Sequence, residues 1–292
     1  MQTVSVNLPL LKSLLSLATV IEAKDPYTGG HTWRVSHYAR LLAEDLGLTQ
    51  DEVFIVHFGS LLHDIGKVSI PESILNKQDK LTSVEFEIIK KHPETGRTLL
   101  REHPLGMLAL DIVTSHHERY DGGGYPRGLA GNDISLFARI VAIADSFDAM
   151  TSARPYRAGM QAETAYSLMA RESGRQFDPI LLSAFLDLGR RGELDHILGH
   201  SSEERLMHTC PECGPIIVLP AHWQNGDKAI CPKCLGNYNV NQIGFDFEVE
   251  WDNTVDFAWV PQPDADTVSE VTWYAPSELR LPARFLELSP SF

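Results

Sequence analysis

The sequence predicts a mainly α chain: a helical bundle over residues 1–200, then a smaller β-leaning region over residues 201–292. Three observations carry this. Apolar residues recur at helical spacing between Leu10 and Leu188, with no strand-like alternation before about Ile216. After Gly199 the composition shifts towards Pro, Gly, aromatic and β-branched residues. All four cysteines of the chain, Cys210, Cys213, Cys231 and Cys234, fall inside that second region.

Pro9 opens an amphipathic helix over Leu10–Ala23, and a loop follows at Pro26–Gly30. A second helix starts near His31 and runs to Leu46, where Gly47 closes it. Thr49 or Asp51 caps a third, whose Val53, Phe54, Val56, Leu61 and Leu62 lead into His63 and Asp64. Pro71 and the polar residues after it break the pattern, and Thr82 with Glu85 has capping-box form for a helix from Ser83 towards His92. Met107–Glu118 reads as helix, and the glycine-rich stretch Tyr120–Asn132 as loop. Phe137–Met150 is strongly apolar, with Asp145 and Asp148 as its conspicuous acids; helical signals return at Ala162–Glu172 and Pro179–Leu188. In the second region Ile216–Leu219 and Phe245–Val249 read as strands, and from Asp246 onward the chain reads as an acidic, β-leaning or irregular extension opposed only by Arg280 and Arg284.

Length and charge set outer limits. A chain of 292 residues holds one large or two modest domains. Hydrophobic content of 43% and charged content of 22% are ordinary for a soluble globular protein. No apolar run is long enough to span a bilayer, and Met1–Ala18 lacks a basic leader and cleavage site, so a cytoplasmic location is expected. The net charge of -14 opposes nonspecific nucleic-acid binding. It leaves a phosphorylated substrate open, because bound metals can invert the local field.

The cysteines form two Cys-x2-Cys pairs separated by seventeen residues, the spacing of a structural zinc ribbon. Two disulfides are the alternative, which knuckle spacing and a cytosolic setting disfavour. One structural zinc on Cys210, Cys213, Cys231 and Cys234 is therefore expected.

A second ligand set lies in the helical region. His63 and Asp64 are adjacent at the end of an apolar helix, so an imidazole and a carboxylate point at nearly the same place. His116 and His117 form another adjacent pair; His31, His92 and Asp145 stand alone on other elements. Nitrogen and oxygen donors of this kind suit two divalent metals sharing a carboxylate, a common device for displacement at phosphorus. Asp145, in a helix of Val, Ile and Ala, would be costly to bury without a partner. His37, His57, His103, His196, His200, His208 and His222 sit in no such pattern and read as ordinary histidines.

The order of motifs from about Leu14 to Leu188 resembles the HD-GYP domain, the branch of the HD phosphohydrolase superfamily associated with cyclic di-GMP hydrolysis. The motifs are His63-Asp64-Ile65-Gly66-Lys67, then His116-His117-Glu118-Arg119-Tyr120-Asp121-Gly122-Gly123-Gly124-Tyr125-Pro126. Ala144-Asp145-Ser146-Phe147-Asp148-Ala149-Met150-Thr151-Ser152, Arg154-Pro155-Tyr156-Arg157 and Phe177-Asp178-Pro179 follow. The resemblance implies an HD-type helical bundle with Asp64 as the bridging carboxylate. His31, His63 and Asp145 would complete one metal's shell, and His92, His116 and His117 the other's. It implies iron or manganese, and attack on phosphorus by a hydroxide shared between the ions. Catalytic roles fall to Asp64 and Lys67.

Lys67 follows the ligand pair, where its ammonium could neutralise a phosphate oxygen, and Arg154 and Arg157 could clamp the other phosphate. Surface salt bridges are the alternative for all three. By resemblance, Tyr125 borders the substrate pocket; Asp148 either supports a ligand from behind or touches substrate. Members of the family with a third metal carry Glu four residues before the first ligand histidine, where this chain has Tyr27. Two metals are therefore expected, with linear pGpG as main product and GMP slower. A cyclic di-GMP receptor of slow turnover, acting through protein contacts, is the alternative, and a generic HD phosphoesterase a third reading. The C-terminal region is read as a protein-contact module or a structural cap, dispensable for hydrolysis beyond Leu206; a homodimer stays open, and neither membrane nor nucleic acid is expected as partner.

Overall fold

The computed structural model describes residues 2–25, 29–77, 79–152, 159–202, 205–244, 246–260 and 264–281. Tyr27, Arg154, Arg157, Phe245, Arg284 and the residues after 281 lie outside them. A strand β1 (Gln2–Ser5) precedes α1 (Leu8–Glu22), which Asn7 caps through its side chain on the Leu10 N–H. Next come α2 (His31–Asp45) and α3 (Gln50–Leu62). Thr49 and Glu52 form a reciprocal capping box at the start of α3. A 3-10 turn (Ile65–Ser69) leads to the short α4 (Glu72–Leu75), and α5 (Ser83–Ile89) carries the Thr82–Glu85 box. Then follow α6 (His92–Arg101), α7 (Leu110–Ser115), α8 (Leu136–Thr151), α9 (Ala162–Arg171) and α10 (Pro179–Arg190).

The expected helix over Met107–Glu118 is shorter than the sequence suggests: Gly106–Leu108 is a 3-10 turn and α7 stops at Ser115. The expected helix from Ser83 towards His92 is α5, which stops at Ile89; α6 starts separately at His92 with Pro93 in its first turn. Helices α2 and α3 pack together, and α8 lies against α2. Their apolar faces meet in one core that includes Tyr38, Leu42, Phe58, Ile112, Val141, Phe147 and Phe185. Tyr38, Phe147 and Phe185 meet edge to face, with ring centroids 5.1 to 6.3 Å apart.

The second region contains β2 (His200–Ser202), β3 (Arg205–Thr209) and β4 (Ile216–Val218), a three-stranded antiparallel sheet. A second sheet pairs β5 (Lys228–Ile230), β6 (Gly236–Ile243) and β7 (Asp246–Val255). Cys210, Cys231, Ile217, Leu219, Tyr238 and Val240 form a separate small core between them.

The acidic extension is β-leaning as expected, with β7 and then β8 (Glu278–Leu281), but it also forms a helix the sequence reading did not place, α11 (Ala265–Tyr274). Strand β8 pairs with β1 in register Gln2–Leu281 to Ser5–Glu278, against the expectation of no strand before about Ile216. Val268, Val271, Leu279 and Leu281 join the helical core. Glu270 accepts from the Trp33 indole at 3.0 Å and pairs with His37 at 3.0 Å. Among the described residues no helix is long and apolar enough to cross a membrane.

Candidate metal centre

Helix α3 is buried along most of its length and delivers its C-cap, His63, and the next residue, Asp64, into the middle of the bundle. The chain turns at once into the 3-10 turn, which lies hard against the start of α6. A Cβ on Gly66 would stand 1.9 Å from the His92 carbonyl oxygen. Only glycine permits this approach, and it is what brings the α3 terminus and the first residue of α6 to one site. His31 opens α2, His116 caps α7, and Asp145 comes from the middle of α8.

The two oxygens of Asp64 face different histidines. Oδ2 lies 3.3 Å from His63 Nε2 and 3.7 Å from His31 Nε2. Oδ1 lies 3.3 Å from His92 Nε2 and 4.0 Å from His116 Nε2. Asp145 Oδ1 joins the first group, 3.4 Å from His31 Nε2 and 3.9 Å from His63 Nε2. His117 joins the second, and donor atoms of Asp64, His92, His116 and His117 all fall within 4.8 Å of one another. The six other ligand residues expected from the sequence thus gather around Asp64.

The opposite ring nitrogens are held from behind. His63 Nδ1 lies 2.6 Å from the Ser60 carbonyl, His92 Nδ1 2.8 Å from Ile89 and His116 Nδ1 3.0 Å from Val113. His31 Nδ1 lies 2.7 Å from Asp148 Oδ2. Each acceptor fixes the proton on Nδ1 and leaves the Nε2 lone pair aimed at the centre. His92 Nε2 and His116 Nε2 face each other at 3.3 Å, where two lone pairs repel without a cation between them. The buried Nε2 of His63 has no hydrogen bond of good geometry, although Asp64 is near. An orphaned buried nitrogen and opposed lone pairs fit divalent metal ions.

Electrostatics divides the ligands. Burial and the neighbouring imidazoles hold His116 far below the ordinary histidine range, and burial with His92 brings His117 down to about 3. At His63 burial is outweighed by the Asp64 and Asp145 carboxylates, and the pKa rises to about 9. Burial would raise Asp64, but Lys67 and His63 hold it well below the usual carboxylate range. With no metal bound, His63 carries a proton at neutral pH, and its attraction to the two carboxylates stabilises the fold. That contribution is full below about pH 6.5 and is lost as the pH rises through about 9. Metal uptake requires the neutral imidazole, so it should expel this proton. Calorimetry of Mn²⁺ uptake in buffers of different ionisation enthalpy is expected to show release of about one His63 proton near pH 7.5 that fades above about pH 10. Uptake with no proton exchange near neutrality would contradict this electrostatic assignment.

Lys67 Nζ lies 2.5 Å from Asp64 Oδ2, so its ammonium is at the centre rather than on the surface. On the His117 and Asp145 side of the centre opens a cavity of about 300 Å³, also lined by Phe86, Lys90, Arg119 and Tyr125 among others. The Tyr125 ring sits over His117 at 4.8 Å and meets Phe86 edge to face at 6.4 Å, with Lys90 Nζ 5.9 Å above it. Phe86 and Lys90 escape sequence reading because they belong to α5 or follow it, far along the chain from the Gly-rich loop. Glu118, also unforeseen in this role, is buried and fixes that loop by accepting from the Arg127 and Leu129 N–H groups at 2.7 and 3.0 Å. Asp148 does not face the cavity; it is fully buried behind His31 and bound to Arg34. Arg154 and Arg157 lie outside the described residues.

The cysteines form a second constellation. Cys210 and Cys213 Sγ are 3.6 Å apart, Cys213 and Cys231 3.5 Å, and Cys210 and Cys234 4.0 Å, and all four are free thiols. Four sulfurs around a zinc at 2.3 Å would be separated by about 3.8 Å. The Tyr238 hydroxyl lies 3.0 Å from Cys210 Sγ, a contact able to support a thiolate.

Comparison with known proteins places relatives along much of the chain. The chain is 44% identical over 193 residues to the cyclic di-GMP phosphodiesterase response regulator RpfG of Xanthomonas campestris, covering 65% of this chain and 50% of that protein. It is 40% identical over 201 residues to a cyclic di-GMP phosphodiesterase of Thermotoga maritima, covering 68% of this chain and 54% of that protein. A 3'3'-cGAMP-specific phosphodiesterase 2 of Vibrio cholerae is 40% identical over 174 residues, 59% of this chain and 33% of that protein. The chain thus spans about half the length, or less, of these relatives. The HD domain model matches residues 16–181, a stretch that holds all seven candidate ligand residues, and on this match the chain belongs to the HD domain family.

Proposed function

We propose that the chain is a metal-dependent phosphodiesterase of the HD-GYP type that opens cyclic di-GMP by hydrolysing a phosphodiester bond. Linear pGpG is the main product and GMP a slower one. The observation that carries the reading is Asp64, whose two oxygens each face a different histidine cluster. The relatives named as cyclic di-GMP phosphodiesterases support the substrate. Iron or manganese suits the mixed imidazole and carboxylate donors.

His31, His63, Asp145 and one Asp64 oxygen would hold one ion; His92, His116, His117 and the other oxygen would hold its neighbour. When bound, two such ions supply a water of lowered pKa and Lewis-acid stabilisation of the phosphoryl oxygens. The chain's own groups do the rest. Carbonyls of Ser60, Ile89 and Val113 keep the imidazoles in the ligating tautomer. Lys67 brings a positive charge to the edge of the centre, where negative charge grows on phosphorus-bound oxygen as the ring opens. Tyr125 and Phe86 offer aromatic faces to a base, and the walls of the cavity exclude bulk water from one side of the phosphate. The cysteine cluster would hold one structural zinc.

The test is anaerobic turnover of cyclic di-GMP with Mn²⁺ or Fe²⁺, with chromatography of products and metal analysis of the same sample. Expected are pGpG ahead of GMP, two ions at the helical site and one zinc. Binding of cyclic di-GMP without turnover would replace this reading with a receptor, and faster hydrolysis of 3'3'-cGAMP would reassign the substrate. Three tightly bound ions at the helical site would overturn the two-metal assignment.

A further inference from the structure

Arg34 is 2% exposed, an uncommon place for a guanidinium, and all its N–H groups are used. Its Nε donates to Asp148 Oδ1 at 2.5 Å, and Nη2 donates to Asp148 Oδ2 and to Ser152 Oγ, both at 3.1 Å. Its Nη1 donates to two backbone carbonyls, Gly29 at 3.0 Å and His200 at 2.8 Å, beside the Met207 sulfur. Asp148 in turn accepts from His31 Nδ1 at 2.7 Å. A continuous chain of buried polar contacts therefore runs from strand β2, through Arg34 and Asp148, to a histidine that faces Asp64.

The same strand also touches the start of the helix that carries His31. Gly30 caps α2 in the left-handed region, at φ 69°. A Cβ there would lie 2.2 Å from Ser201 Cα and 2.6 Å from its Cβ. Strand β2 thus rests directly on the backbone one residue before His31, with no side chain between. Its partner β3 ends at Thr209, next to Cys210, so the cysteine cluster and the helical centre share one short sheet.

We infer that β2 of the C-terminal region is a positioning element for the metal centre: seated on Gly30 and bound to Arg34 through the His200 carbonyl, it holds Asp148 and so sets His31 for ligation. Arg34 and Asp148 are positioning residues. The inference rests on the two-metal reading above and adds to it that one metal position, the one His31 serves, depends on a strand from the second region. The physical reason is that a ligand whose Nδ1 partner is misplaced loses both its tautomer and its ring orientation, at a cost of about ten- to a hundredfold in metal affinity.

The experiment uses the full chain and Mn²⁺ titration followed by electron paramagnetic resonance, which counts ions and their affinities without turnover. Gly30→Ala forces the strand and helix apart. Gly47→Ala is its control, because Gly47 has the same left-handed backbone at φ 71° yet open space where a Cβ would go. Arg34→Lys keeps a charge beside Asp148 but has no second nitrogen to reach the His200 carbonyl, and Asp148→Asn cuts the link at the His31 end. Gly30→Ala, Arg34→Lys and Asp148→Asn are each expected to weaken one of two Mn²⁺ ions about ten- to a hundredfold and leave the other within about twofold. Gly47→Ala should bind as the parent does.

Equal behaviour of the two glycine variants, or equal loss of both ions in any variant, would overturn the inference. If Gly30→Ala does not fold, Arg34→Lys decides, and unchanged affinities there overturn it. A parent protein that binds no Mn²⁺ at the helical site would sink the two-metal reading itself, whereas two ions bound alike in parent and variants would sink only the role of β2.

Discussion

Asp64→Ala is expected to lose both ions of the helical centre and at least about a thousandfold in turnover. Metal ions contribute several kcal/mol of transition-state stabilisation, and each 1.36 kcal/mol is tenfold in rate. The size of the effect comes from the two-sided placement of this carboxylate. Each of its oxygens lies 3.3 Å from an imidazole of a different cluster, so one deletion removes a ligand from both positions. Loss of His117 or Asp145 would strip only one position. Asp64 sits outside any regular helix, between α3 and the 3-10 turn, so alanine removes chemistry without breaking a helix.

Lys67→Ala provides the contrast. Its ammonium touches Asp64 Oδ2 but ligates nothing, so both ions should remain while turnover falls about ten- to a hundredfold, the worth of one charge-assisted hydrogen bond. Metal analysis and initial rates on the two variants separate holding the ions from using them. An Asp64→Ala protein that keeps two ions and parental turnover would remove the bridge from the mechanism. A Lys67→Ala protein that loses metal would make Lys67 part of the scaffold of the centre.

Five of the candidate ligands were readable from local chemistry, His63 beside Asp64, His116 beside His117, and Asp145 stranded in an apolar helix, whereas the isolated His31 and His92 were legible only through the resemblance in motif order. Of their supports, Asp148 was legible in that role as one of two, and Arg34 was not foreseen. Arg34 and Asp148 are 114 residues apart, and nothing near either one announces the other. Asp148 draws notice as an acid in an apolar helix, but which way it faces depends on how α8 packs against α2. Short elements failed for a related reason. Gly106–Leu108 is a tight turn and Leu110–Ser115 a helix, with no proline or glycine at the join to mark the break. Strands β1 and β8 are four residues each and come from opposite ends of the described chain, so only pairing defines them. For α11 a signal exists, since Val268 and Val271 are three apart and both buried. The acids around them obscured it, and of these Glu270 is not a surface charge but the partner of buried His37 and Trp33.

That last element changes what truncation should do. From the sequence, residues beyond Leu206 look dispensable, but a chain ending there loses α11 and β8. Val268, Val271, Leu279 and Leu281 leave the helical core, which costs on the order of 6–12 kcal/mol at about 1.5–3 kcal/mol for each buried aliphatic side chain. A domain of this kind is stable by about 5–15 kcal/mol in total. The His37 ring also loses its carboxylate: Glu270, which burial would raise, is held down to about 2 chiefly by His37. The truncated chain is therefore expected to be unfolded or aggregated at ordinary temperature, seen as loss of the cooperative melt by circular dichroism. Hydrolysis would fail because the helical core itself is lost. Glu270→Gln in the full chain separates the two contributions. It keeps the apolar packing and should cost only about 1–3 kcal/mol, the penalty for one buried charge-assisted bond, with metal content unchanged. A chain ending at Leu206 that melts cooperatively near the parental temperature would show that α11 and β8 decorate the helical core rather than complete it.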